Sequence, residues 1–111
     1  LPRPAAIGMR TMASIGIEIP HQRIVAFCHA NGIRRLALFG SVIRDDFTPH
    51  SDVDVLVEFH PGVCVGFAFV RLQDELSSIL GRQVDLHTPG SLSKYFRTEV
   101  LREMEEIYVA A

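Results

Sequence analysis

Residues 36–59 read LALFGSVIRDDFTPHSDVDVLVEF, and their spacing constrains the fold more than anything else in the chain. An apolar run ends at Gly40-Ser41. After residues 42–51, Asp52-x-Asp54 opens a second apolar run. Val53, Val55, Val57 and Phe59 recur at every second position, while the intervening positions begin with Asp54 and end with Glu58. That is the period of a strand with one face on a core and the other starting acidic. The stretch therefore predicts strand, glycine break, polar loop, strand.

Flanking patterns fill in the rest. Pro20 suits the first turn of a helix, Ile24, Val25, Phe27 and Cys28 follow at helical spacing, and Asn31-Gly32 ends it. Residues 33–39 form the first strand and 53–59 the second. A stripe of Phe69, Leu72, Leu76, Ile79 and Leu80 predicts a helix over 67–80, closed by Gly81. Residues 83–87 read as a third strand, with Val84 and Leu86 on one face and Asp85 on the other. Residues 91–105 read as a helix with Leu92, Phe96, Val100, Leu101 and Met104 inward, and 107–109 as a short edge strand. Strands separated by helices give an α/β (α+β) domain. Its mixed sheet has three to four strands, with helices packed on one face and the acidic site on the other. Residues 1–16, without an initiator methionine and with Met9 and Met12 close behind, are set aside as a tag-like or flexible segment, leaving 17–111 as the domain.

Composition narrows the function classes. A length of 111 residues fits one domain. Hydrophobic content of 48% and a net charge of −2 suit a folded chain and leave no broad basic surface for nucleic acid. The apolar run at 63–70 falls far short of the about 20 residues a membrane span needs, and no secretory leader is evident. Cys28 and Cys64 have no metal-ligand spacing and read as small buried residues in a reducing compartment, consistent with the cytoplasm. Short exposed strand edges are compatible with a homo-oligomer.

Asp52 and Asp54, two apart on a strand, share a face, and Asp85 has the same parity on its own strand. Neighbouring strands lie about 4.8 Å apart, so all three carboxylates could meet. Bare carboxylates that close repel and hold their protons; a hard divalent cation such as Mg²⁺ removes the penalty. Two ions about 3.5–4 Å apart serve displacement at phosphorus, with Asp52 and Asp54 bridging them and Asp85 orienting an incoming hydroxyl and taking its proton. Gly40 permits close backbone approach. Ser41 opens a short helix over 42–45 whose free N–H groups and hydroxyl suit phosphate. Arg44 reads equally as a triphosphate contact, a solvated charge or a partner of Asp45 or Asp46. No Gly-Lys-Ser/Thr follows the glycine, and the hydrophobic residues after Asp54 exclude an EF-hand. His87 shares the face of Asp85 but reads as an exposed strand-end histidine. Arg71, Arg82, Lys94 and Arg97 read as surface charges, and Phe67 and Phe69 as core.

With LFGS at 38–41, Arg44, SDVDVLVEF at 51–59 and LGRQVDL at 80–86, the chain resembles the minimal nucleotidyltransferase (MNT) family of the DNA polymerase β-like superfamily, from about residue 33 to residue 108. The resemblance implies that Gly40 and Ser41 hold the triphosphate of ATP, with Arg44 the matching motif arginine and a candidate nucleotide contact, and that Asp52, Asp54 and Asp85 are metal-binding and catalytic. Many relatives have glycine where this chain has Asp45. It also implies the antitoxin half of a HEPN/MNT toxin–antitoxin pair, which neutralises a HEPN ribonuclease toxin by transferring AMP to a tyrosine, by binding, or both. About 25 residues follow the third strand, too few for an acceptor-holding domain, so an acceptor bringing its own docking surface is expected. Two alternatives remain: an antitoxin that only binds, and a nucleotidyltransferase acting on RNA or a small molecule.

Overall fold

The computed structural model describes residues 16–44, 47, 48 and 50–110. Expectations placed on residues 1–15, on Asp45 and Asp46, and on the end of the 42–45 helix lie outside them. In chain order the elements are α1 (His21–Ala30), β1 (Ile33–Phe39), a 3-10 turn (Gly40–Ile43), β2 (Val53–Phe59), α2 (Ala68–Leu80), β3 (Val84–His87), a second 3-10 turn (Pro89–Ser91), α3 (Lys94–Glu103) and β4 (Glu105–Val109). The mixed sheet runs β3-β2-β1-β4. β1 is antiparallel to both β2 and β4, and β2 is parallel to β3.

Period-two alternation sets the two faces. Leu36, Leu38, Val53, Val55, Val57, Val84, Leu86 and Ile107 turn toward α1 and α2, which answer with Ile24, Phe27, Cys28, Leu72, Leu76, Ile79 and Leu80. Each of these buried aliphatic side chains contributes roughly 1.5–3 kcal/mol. Gly81 at φ +69° ends α2 in the left-handed conformation that a residue with Cβ adopts only under strain. The opposite sheet face carries a smaller cluster, Phe39, Leu56, Leu92 and Val100, with Met104 packed against it. α3 therefore lies on the acidic face, near Asp54, so the helices are not confined to the face opposite the acidic site as the sequence pattern predicts.

Strands 33–39 and 53–59 fall where the alternation places them, and the short edge strand is β4. α3 is shorter than expected, because Thr88 and Ser91 cap a separate turn and Ser93 caps the helix through Phe96 N. Leu92 and Val100 are buried as expected, whereas Phe96 and Leu101 are exposed. Phe67 is also fully exposed, since it precedes the first turn of α2, while Phe69 packs on the core. Cys28 is buried, which pushes its thiol up to about 12, but Cys64 is exposed. At the far end of the acidic face, Glu58 takes ion pairs from Arg34, at 2.6 Å, and from Arg35, which also reaches Glu106 at 2.9 Å. No helix among the described residues is long and apolar enough to cross a membrane.

Candidate active site

Phe39 ends β1 in extended geometry, and Gly40, at φ +78°, swings the chain into the 3-10 turn. Val42 anchors this turn by burying its side chain in the main core. Ser41 stays half-buried at the surface of the turn. One 3-10 turn carries little helix dipole, so phosphate affinity here would come from individual N–H groups and the Ser41 hydroxyl. The long loop that follows is held from outside. Arg82 Nη2 donates to the Thr48 carbonyl at 2.9 Å, and its guanidinium lies 4.7 Å from the Phe47 ring centroid.

Register brings the acids together. Asp54 pairs across β1–β2 with Phe39, the residue before Gly40, and across β2–β3 with Asp85. A Cβ on Gly40 would lie 2.5 Å from Asp54 Oδ2, so the missing side chain is the space the carboxylate occupies. His87, two residues beyond Asp85, points Nε2 at both carboxylates, 3.2 Å from Asp85 Oδ2 and 3.6 Å from Asp54 Oδ1. Its ring is held against Phe39, with centroids 5.4 Å apart. Asp54, Asp85 and His87 each offer a donor atom within 4.8 Å of the others.

Burial raises the Asp54 carboxyl above the ordinary carboxylate range. His87 pulls the other way, and the nearby Asp85 and Asp52 charges push further up. Such a carboxylate gains from a bound cation. The donor set, two carboxylates on a half-open surface beside the Gly40–Ser41 turn, fits a divalent ion that keeps positions for water and other oxygen ligands. Asp52 stands just ahead of the first paired residue of β2 and is exposed. Ladder pairing does not hold it, and it lies outside the group formed by the other three.

α3 supplies the remaining wall. A cleft of about 220 Å³ is bounded by Phe39, Gly40, Ser41, Arg44 and Asp54 from the sheet side and by Phe96, Glu99, Val100 and Glu103 from α3. Arg44 Nη2 bonds Glu103 Oε1 at 2.8 Å across its mouth. Arg97 fastens the start of α3 by donating to the carbonyls of Pro89, at 2.7 Å, and Leu92, at 3.0 Å. Sequence reasoning put Gly40, Ser41, Arg44, Asp52, Asp54 and Asp85 at one locus; the structure brings Gly40, Ser41, Arg44, Asp54 and Asp85 together and leaves Asp52 outside the cluster of donor atoms. The same reasoning underweighted His87 and missed Phe96, Glu99 and Glu103. The available signals were the two-residue step from Asp85 and the three- and four-residue steps along α3.

The nucleotidyltransferase domain family matches residues 22–107. The protein adenylyltransferase MntA of Thermococcus cleftensis is 37% identical over 78 residues, 70% of this chain and 76% of that relative. A toxin–antitoxin crystal structure with AMP-PNP superposes with a TM-score of 0.66 at 22% identity, covering 83% of this chain and 75% of that one. A complex of tri-AMPylated Shewanella oneidensis HEPN toxin with MNT antitoxin gives 0.58 at 23% identity, covering 81% and 70%. At those identities the two structures speak to the fold. The chain belongs to the nucleotidyltransferase domain family.

Proposed function

We propose that this nucleotidyltransferase moves AMP from ATP to a hydroxyl of a partner protein, a tyrosine of a HEPN toxin, and so acts as the antitoxin of a pair in the cytoplasm. The observation that carries the reading is the junction of Gly40 with Asp54, and of Asp54 with Asp85, at the ends of three adjacent strands. Gly40 and Ser41 would hold the triphosphate, and Arg44 would exchange Glu103 for a phosphate oxygen. Asp54 and Asp85, joined by Asp52 from the strand entrance, would hold Mg²⁺. When bound, the ions supply charge neutralisation and Lewis-acid polarisation at the phosphates.

In the transfer, the tyrosine oxygen attacks the α-phosphorus and the bond to the β-phosphate bridging oxygen breaks. Pyrophosphate leaves, and the phenolic proton passes to Asp85, the more exposed carboxylate. The relative named a protein adenylyltransferase supports the chemistry, and the neighbour described as an AMPylated HEPN toxin with an MNT antitoxin supports the acceptor. The test is incubation with labelled ATP, Mg²⁺ and a HEPN toxin, beside an Asp52→Asn/Asp54→Asn variant. Label should pass to the toxin with the intact protein alone.

A second reading, neutralisation by binding without transfer, is favoured by one feature. Glu99 and Glu103 line the α3 wall of the cleft that Gly40 and Ser41 also line, and Arg44 is already paired with Glu103. That reading requires the double variant to neutralise the toxin as well as the intact protein does, with no label transferred by either.

A further inference from the structure

The geometry points to His87 as a nitrogen ligand of the metal site, which turns the preference of this site from Mg²⁺ toward a first-row transition ion. The inference rests on the metal-dependent reading above. Nothing in the apolar alternation of β3 requires an imidazole at this position. Val84 and Leu86 fill the core from the other face, and His87 is a quarter exposed on the side of Asp85. Its Nε2 addresses two carboxylates of two different strands, at 3.2 and 3.6 Å. Adjacent donors around a six-coordinate ion with bonds of about 2.1 Å stand about 3 Å apart, so these separations are close to those of a ligand set. The ring packs against Phe39, centroids 5.4 Å apart, with Nε2 already directed at both carboxylates.

Donor chemistry then decides selectivity. Mg²⁺ takes oxygen ligands and gains little from imidazole. For transition ions an added nitrogen donor strengthens binding along the series from Mn²⁺ to Co²⁺ and beyond. A site with Asp54, Asp85 and His87 therefore discriminates by metal, whereas three carboxylates would not do so to the same degree.

The test uses the metals alone on the full chain. Calorimetric titration with Mg²⁺, Mn²⁺ and Co²⁺ should give rising affinity in that order. His87→Ala should weaken Co²⁺ at least tenfold and Mg²⁺ less than twofold. Pulsed EPR of the Mn²⁺-loaded wild type should show nitrogen coupling from one imidazole, a readout that needs no variant to fold. Absence of nitrogen coupling, or equal losses for Co²⁺ and Mg²⁺ in His87→Ala, overturns the assignment. If Mg²⁺ still binds and AMP is still transferred in that case, only the role of His87 falls. If no divalent ion binds the wild type, the transfer reading falls with it.

Discussion

Gly40 and Asp54 occupy one another's space: a Cβ on the glycine would stand 2.5 Å from the carboxylate oxygen Oδ2. The turn and the acid are thus a single packed unit, although fourteen positions of sequence separate them. Gly40→Ala must accept a left-handed backbone, costing about 1–2 kcal/mol, and must also displace the carboxylate. Thermal melts should show Tm falling by about 5–10 °C. Titration with a non-hydrolysable ATP analogue should show at least tenfold weaker binding, about 1.4 kcal/mol.

Asp54→Asn should separate stability from activity. The raised Asp54 carboxyl keeps its proton in the folded state at pH values where the unfolded chain has lost it. Stability from this group is therefore present below the unfolded value, about 3.9, and is lost as pH rises through the raised folded value. Without metal at neutral pH, Asp54→Asn removes a half-buried charge facing Asp85, and Tm should rise by about 2–4 °C. The same variant should lose at least about 100-fold in AMP transfer, since charge neutralisation at phosphorus is worth several kcal/mol. Melts in EDTA across pH 4–8, paired with transfer assays, check both halves.

Glu58→Gln probes the other end of the acidic face. Glu58 is nearly buried, 11% exposed, and joins Arg34 and Arg35. Arg35 keeps Glu106 in the variant, and its pKa is raised first by that bond. The loss should be about 1–2 kcal/mol, between the values for exposed and buried pairs. Denaturant melts should show this with AMP transfer by the folded protein unchanged.

Glu103→Gln should tighten ATP binding. Glu103 holds Arg44 across the cleft and adds negative charge where a triphosphate would lie. An exposed pair of this kind is worth up to about 1 kcal/mol, so the dissociation constant for an ATP analogue should fall by about threefold to fivefold. Calorimetry at low salt reads the change, and it should shrink as salt rises.

Much of this was legible in the sequence because strands reveal their faces by alternation. Val53, Val55 and Val57 against Asp54 fixed both the core side and the acidic side of β2, and Val84-Asp85-Leu86 did so for β3. Sequence periodicity does not give register. That Asp54 lies beside Asp85, and that Asp52 falls just outside the ladder, depends on β2 pairing from Val53 onward. Alternation also hid the contribution of α3. Its residues were read as one buried stripe, yet the helix packs Val100 against Phe39 and Leu56 and offers Phe96, Glu99 and Glu103 to the cleft. His87 reads as an exposed strand-end histidine from the sequence because one imidazole there gains meaning only once Phe39 and two carboxylates lie beside it.

Metal and triphosphate binding at the junction of Gly40, Asp54 and Asp85 is tested by anomalous diffraction from a crystal of the protein grown with Mn²⁺ and a non-hydrolysable ATP analogue. A manganese peak is expected within bonding distance of Asp54 and Asp85, with the triphosphate laid against Gly40 and Ser41. An ion or nucleotide seated elsewhere, for instance in the groove between α1 and α2 at Arg23 and Ser78, with that junction empty, would contradict that placement.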